Sequence, residues 1–393
     1  MISLVKKSLQ IELHSFMQVA SGKHKTVSNS AFNQARMKIK PELFKHFITG
    51  MNQEFYSDND ERVKLWNGFR LLSCDCSTMK LPITPELKKI YRYNINQYGT
   101  DVLIARTSVL YDLENEMILE GILSPFSTGE RKLAMEHLKV IKKSGYKELL
   151  LLDRGYPSYD IVYQLQKMSI DFVMRVKPSF SNVVKEFAES DLIENKIQIR
   201  IGKNVNPLHK IYKRNEPIEV RLIKVMLGNG EIELLMTSLM DEKKYNASIF
   251  KELYFKRWTI ETLYDKLKNK LLIEHFTGYS QTSILQDFYC TLFINNIQSL
   301  LTSEANEKLE QNNTKDRKYE YKINTNLSIG FIKTKIVELL LQESNPEKIL
   351  IDLEKLFEKN TIPIRPNRHF KRDIQKYRKR AKPPITKNFK HAF

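Results

Sequence analysis

The stretch KELLLLDRGYPSYDIVYQLQKMSIDFVMRVK, residues 147–177, constrains the fold more than any other part of the chain. Leu149 to Leu152 form an unbroken apolar run, as expected of a strand buried on both faces in a parallel or mixed sheet. A tight turn, a helical pattern and a second apolar strand follow, so the unit reads strand, turn, helix, strand and calls for an α/β architecture. Asp153 stands at the carboxyl end of the first strand, the edge of such sheets where ligands and active sites gather. Alone, an aspartate there serves equally well as a turn or cap residue.

Upstream, KLWNGFRLLSCDCSTMKLP reads as another strand, with Phe69, Leu71 and Leu72 leading into Asp75 and Pro82 ending it. A strand over DVLIARTSVLYDL and a helix opened by Glu130 and Arg131 come next. From Pro178 to Leu235 the pattern turns β-rich: Ile197, Ile199 and Ile201 alternate, as do Ile218, Val220 and Leu222, and Gly228-Asn229-Gly230 is a hairpin signal.

Residues 251–272, KELYFKRWTIETLYDKLKNKLL, read as one amphipathic helix. At 100° per residue, Tyr254, Arg257, Glu261 and Lys268 fall within an arc of about 60°. Ile249, Leu253, Ile260, Leu263, Leu267 and Leu271 form a core stripe beside it. A carboxylate, two cations and a phenol on one face suit a metal ion and phosphates held together. The plain reading of any one of them is an exposed charge on a solvated face.

The spacing Y-x2-R-x3-E-x6-K, with Asp75 and Asp153 upstream, resembles the insertion-sequence-4 family of bacterial transposases. The resemblance implies a ribonuclease-H-like mixed-sheet core interrupted by a β-rich insertion, with helical regions on either side. It implies a DDE triad of Asp75, Asp153 and Glu261, both catalytic and metal-binding, with two Mg²⁺ ions for which Mn²⁺ can stand in. Tyr254, Arg257, Lys268 and Arg154 are then expected to contact DNA, and a homodimer is expected on double-stranded DNA. Asp153 is followed by Arg154, Gly155 and Tyr156, which match the family's second motif, whereas Cys76 and Ser77 stand where the family has glycine and threonine. The β-rich insertion in that family contacts DNA and can supply an aromatic residue for a flipped base. Neither tryptophan, Trp66 or Trp258, lies in the block, which leaves Phe180, His209 or Tyr212 as substitutes or as ordinary packing residues.

Charge points the same way. With 64 Lys+Arg against 46 Asp+Glu the formal charge is +18, so a polyanionic partner is expected, nucleic acid ahead of a membrane surface, a choice that charge alone does not make. Eleven Lys/Arg and one acid fall in Arg365–Phe393, a basic tail in which Lys371, Arg372, Arg378, Lys379 and Arg380 are expected to contact DNA. Small helices near the amino terminus, capped at Ser28 or Ser30 and opened by Pro41, crowd Lys23, Lys25, Arg36, Lys38 and Lys40 into a second expected DNA-contacting region. Three cysteines make no disulfide framework, and Cys74 and Cys76 read as small residues packed around a strand. The absence of an 18-residue apolar run or a signal-peptide core leads to an expected cytoplasmic location.

The expected organisation is a helical DNA-binding region over 1–62, the core over 63–177 and 236–303, the β-rich insertion over 178–235, a helical region over 304–362 and the basic tail over 363–393. The expected function is an insertion-sequence transposase that binds terminal inverted repeats and performs metal-dependent DNA cleavage and strand transfer. A decayed DNA-binding protein without activity, or a nuclease of the same fold without strand transfer, are the alternatives.

Overall fold

A computed structural model describes residues 8–21, 26–57, 61–92, 94–95, 101–141, 145–200, 217–227, 230–311, 319–341 and 345–365. Three helices come first: α1 (Leu9–Ser21), α2 (Asn29–Arg36) and α3 (Glu42–Ser57). Ser28 is the cap of α2, its hydroxyl accepting from the Ala31 N–H. The core opens with β1 (Phe69–Lys80), α4 (Pro85–Tyr91), β2 (Ile104–Asp112), β3 (Met117–Pro125) and α5 (Glu130–Leu138). The strand, turn, helix, strand unit follows as β4 (Lys147–Leu152), α6 (Tyr159–Lys167) and β5 (Asp171–Arg175). Next come α7 (Asn182–Glu189), β6 (Glu194–Ile199), β7 (Ile218–Met226) and β8 (Ile232–Thr237). The remainder is mostly helical, with α8 (Ile249–Phe255), α9 (Thr259–Asp265), α10 (Gln281–Gln311), α11 (Thr325–Leu341) and α12 (Pro346–Lys359), and adds a small antiparallel pair of Glu320–Ile323 with Thr361–Ile364.

One eight-stranded sheet runs in the order β3-β2-β1-β4-β5-β8-β7-β6. β1 is antiparallel to β2 and parallel to β4, and β5 is parallel to β4. That order of antiparallel meander and parallel pair is the ribonuclease-H-like core expected from the sequence. The β-rich block exists, and its strands add to the edge of this same sheet: β8 pairs antiparallel with β5, then β7 with β8 and β6 with β7. Continuing the sheet satisfies the open hydrogen-bonding edge of β5, which a detached block would leave bare.

The leucine run is explained by two cores. Leu149 and Leu151 enter the core on one face, with Leu263 of α9 and Leu267 just after it, Phe288 of α10 and Ile48 of α3. Leu150 and Leu152 enter the other, with Ile161, Val162 and Leu165 of α6. A strand with helices on both faces has no polar side to show, so alternation is lost. The side of α10 against β3 depends on Gly121, where a Cβ would stand 2.2 Å from Leu292 Cδ1. Among the described residues no helix is long and apolar enough to cross a membrane.

The amino-terminal helices are joined to the core through Arg36, which is 2% exposed. Its Nε donates to Gln286 Oε1 at 2.8 Å and its Nη2 to the Ser283 carbonyl and Asp287 Oδ1, each at 3.2 Å, while Nη1 donates to Thr277 Oγ1. This corrects the placement of Arg36 in a DNA-contacting cluster: every nitrogen of the guanidinium is used inside the protein. A charge next to an aspartate in a low-dielectric seam gains more from pairing than from water. Lys38 and Lys40 are exposed, and Lys23 and Lys25 lie outside the described residues.

Candidate active site

The register of β1 on β4 builds the site. Phe69 pairs with Lys147 and Ser73 with Leu151, an offset of 78 residues. Two residues beyond the last pair, the same offset brings Asp75 level with Asp153, just past the end of β4. Asp75 therefore sits within a long strand rather than at its end, but at the point where the parallel neighbour stops. A gap opens there between strands, and side chains on the odd-numbered face of β1 look into it.

The third carboxylate comes from the helix crossing that face. The expected single regular helix is a relay of short segments: α8, a 3₁₀ turn over Lys256–Trp258, α9, and a π-helical turn over Lys266–Lys270. π-turns tend to occur at functional sites because the extra residue re-aims the side chains that follow. The apolar stripe is buried as expected, with Leu253, Ile260, Leu263, Leu267 and Leu271 all in the core. Tyr264 ties the helix to β1, its hydroxyl donating to the Asp75 carbonyl at 2.7 Å. Lys268 donates to Ser77 Oγ at 2.7 Å, two residues along β1 on the same face as Asp75, and burial lowers its pKa.

Arg257 Nη2 donates to Glu261 Oε1 at 2.8 Å, one helical turn away. Arg257 is 5% exposed, and its Nε meets no acceptor among the described residues. The contrast with Arg36 is sharp: both are buried arginines, but one is saturated and the other keeps its Nε–H unpaired beside three carboxylates. Its guanidinium also lies over the ring of Trp258, 5.1 Å from the centroid, and Trp258 is itself exposed.

Tyr254 is placed differently from the sequence expectation. It is buried, its hydroxyl donates to the Leu152 carbonyl at 3.3 Å, and burial pushes its pKa up. On the boundary between polar and apolar arcs, the ring falls on the core side and the phenol braces the end of β4 next to Asp153. Asp75 is electrostatically the most perturbed of the three acids. Burial raises its carboxyl to about 6; the Cys76 N–H and Arg257 hold it down, and Glu261 and Asp153 push it further up. The Cys76 N–H donates to Asp75 Oδ1 at 2.8 Å. Cys76 itself points to the other face, where the Tyr156 hydroxyl lies 3.7 Å from its sulfur, and Cys74 is buried, as packed small residues should be.

The donor set of three carboxylates is the hard-oxygen chemistry that divalent magnesium or calcium takes. Among the described residues, however, no group of three His, Cys, Asp or Glu side chains is close enough to hold a metal ion as it stands. Glu261 is paired with Arg257 at 2.8 Å, and the guanidinium supplies positive charge among the like-charged acids.

Beside Asp153 lies a depression of about 480 Å³ bordered by Arg131, Arg154, Lys177, Tyr159 and Phe180. Arg154 and Lys177 are exposed, and the Tyr159 and Phe180 rings lie 5.0 Å apart. Arg154 was expected from the motif. Arg131 and Lys177 were not, because nothing in their local sequence says that the starts of α5 and α6 and the end of β5 meet at one corner. The tail residues Lys371, Arg372, Arg378, Lys379 and Arg380, and also His209 and Tyr212, lie outside the described residues.

In sequence the chain is similar to known transposases. Residues 70–297 match the family described as Transposase DDE domain. The transposase for insertion sequence element IS1151 of Clostridium perfringens is 23% identical over 291 residues, covering 73% of this chain and 54% of that protein. The transposase InsG for insertion sequence element IS4 of Escherichia coli strain K12 is 22% identical over 256 residues, covering 64% and 55%. The chain thus spans about half the length of these curated relatives. Among solved structures, a piggyBac transposase synaptic complex with hairpin DNA aligns with a TM-score of 0.40 and 11% identity over 79% of this chain and 62% of that one. The matched segment takes in β1 with Asp75, β4 with Asp153 and the helix with Glu261, and the chain belongs to the transposase DDE-domain family.

Proposed function

We propose that this chain is an insertion-sequence transposase that binds the terminal inverted repeats of its element, cleaves DNA at their boundaries and joins the freed 3′ ends to target DNA. The observation that carries the reading is the electrostatic coupling of Asp75, Asp153 and Glu261 around one gap at the carboxyl edge of the sheet, with the unpaired Nε–H of Arg257 beside it. Members of such a family depend on divalent metal. Here Asp75, Asp153 and Glu261 would hold two Mg²⁺ ions, which supply charge stabilisation for the attacking and leaving oxygens of an in-line displacement.

The chain's own residues do the positioning. Arg257 donates from Nη2 to Glu261 and leaves Nε unpaired, so the edge of Nε and Nη2 can hold a phosphate bidentately once Glu261 turns toward a cation. Lys268 adds a point charge farther along β1, and Arg154, Arg131 and Lys177 offer a track for the strand leaving the site past Asp153. Tyr254 and Tyr264 brace the backbone at Leu152 and Asp75, which fixes where the two aspartates project. Joining two ends in one event calls for two copies, so a homodimer on DNA belongs to the proposal.

The test is cleavage of a labelled DNA fragment spanning the gene's own flanks, with Mg²⁺, without metal, and with Glu261→Gln. Metal-dependent nicks at a defined repeat boundary, absent in the variant, are expected. Tight binding without cleavage under any metal would replace this reading with the non-catalytic one.

A further inference from the structure

Away from the catalytic edge, α3, α10 and α12 enclose a groove of about 730 Å³. Its floor is apolar, with Phe55, Leu301, Leu350, Ile351 and Phe357, and Leu350 and Ile351 are exposed on α12. Its rim is acidic: Glu54, Glu304, Glu307, Glu347 and Glu354 border it against the single cation Arg62. Three of these acids have a cation nearby. Glu307 pairs with Lys64 at 3.1 Å, Glu304 lies 4.0 Å from Arg62, and Glu354 pairs with Lys308. The carboxylates of Glu54 and Glu347 form no ion pair among the described residues, and both residues are exposed.

An apolar channel rimmed by acids is unexpected on a chain of formal charge +18. The chain carries a segment of matching chemistry. Arg365 follows Phe357 of the groove by eight positions, and beyond it come 28 residues that hold ten Lys/Arg and one acid. Within them Phe370, Ile374 and Tyr377 recur at i, i+4 and i+7, the anchor spacing by which a helix lays one face into a groove. Lys371, Arg372, Lys376, Arg378, Lys379 and Arg380 surround those anchors.

We propose that the groove between α3, α10 and α12 takes the segment 366–380 of the same chain, apolar anchors on its floor and cations against its acidic rim, and that this docking withholds the basic tail from DNA. The second half of the proposal rests on the reading of the tail as a DNA arm; the first half does not. Docked cations neutralise protein carboxylates and so release no phosphate counterions, whereas a freed tail does. DNA, with its higher charge density, displaces the groove as competitor.

The experiment uses the full-length chain and a zero-length carbodiimide cross-linker, read by mass spectrometry on an equal mixture of isotopically light and heavy protein at low salt without DNA. Links from Glu54 or Glu347 to Lys371, Lys376 or Lys379 within one isotopic species are expected, and they fade at high salt. No such links, or links that join light to heavy chains, overturn docking in cis; the second outcome assigns the groove to the tail of a second copy. The paired substitutions Leu350→Ser and Ile351→Ser, at exposed positions and without a change of charge, are expected to abolish the links. They should also raise affinity for a short DNA duplex roughly three- to tenfold, the factor for an arm otherwise free about a tenth to a third of the time. Links that persist in this variant overturn the groove as the site. Loss of links with unchanged DNA affinity leaves docking in place and overturns the tail as a DNA arm.

Discussion

The two ends of the β1–β4 pair solve opposite problems with one register. At the amino end, the 78-residue offset sets Arg70 beside Glu148, and the guanidinium donates from Nε at 2.9 Å and from Nη2 at 2.5 Å to the two carboxylate oxygens. Asp112 completes that end, accepting from the Tyr56 hydroxyl at 2.7 Å, from the Glu114 and Asn115 N–H groups and from the Asn115 amide. At the carboxyl end the same offset sets Asp75 beside Asp153, two like charges with Glu261 added from the helix and one incompletely bonded arginine among them. Like charges opposite one another destabilise a sheet. A chain that places Arg against Glu at one end and Asp beside Asp at the other bears a cost that the proposed function explains.

The largest effect should separate the ends by function. Asp75→Ala and Asp153→Ala are each expected to lower DNA cleavage by roughly a thousandfold or more, the scale of losing a metal's charge stabilisation. Thermal melts of both variants should stay at or above the parent. A marked loss of stability instead would make these aspartates structural and erase the contrast.

Arg70→Ala should do the reverse. It strands Glu148 in a buried site at a cost of about 3–5 kcal/mol, visible in denaturant melts, while cleavage per folded molecule is retained.

The pH dependence of stability sharpens the comparison, because each end holds one aspartate raised by burial from 3.8 to about 6, Asp75 at one and Asp112 at the other. A carboxyl with a folded pKa above its unfolded value binds more protons when folded between those two values. Each therefore stabilises the fold at low pH, and that contribution is lost as pH rises from about 4 to about 6, on the order of 3 kcal/mol per group. Melts across this window should show a falling contribution that Asp75→Asn and Asp112→Asn each remove in part. An unchanged slope in Asp112→Asn would show that its four donors, not its burial, set its charge state.

The smallest expected effect belongs to Arg257→Lys, which keeps the charge and loses the planar fork. Cleavage should fall about ten- to a hundredfold with little change in the melt. A deep loss of stability would class Arg257 with Arg36 as a structural arginine.

Much of this was legible in the sequence. The leucine run required a strand covered on both sides; the motif spacing named Arg257, Glu261 and Lys268, and they do share the face of the helix turned to β1. The β-rich composition of 178–235 was plain, because hairpin and alternation signals are local. That its strands would extend the core sheet was not, since an edge hydrogen bond leaves no mark on side-chain pattern. Arg36 was misread for a related reason: a cation among cations looks exposed until its acidic partner, Asp287, arrives from 251 residues away.

By itself, then, the sequence determined the α/β class and the apolar stripe of the helix that carries Glu261, because periodicity is a property of neighbouring residues; the three acids were named through the family resemblance. Only the tertiary structure decided which aspartates would stand level, which arginine would be saturated and which left open, and that Tyr254 would brace a strand instead of facing solvent. Those outcomes depend on strand register and on partners distant in the chain, where burial and charge pairing act between groups whose separation the sequence does not encode locally.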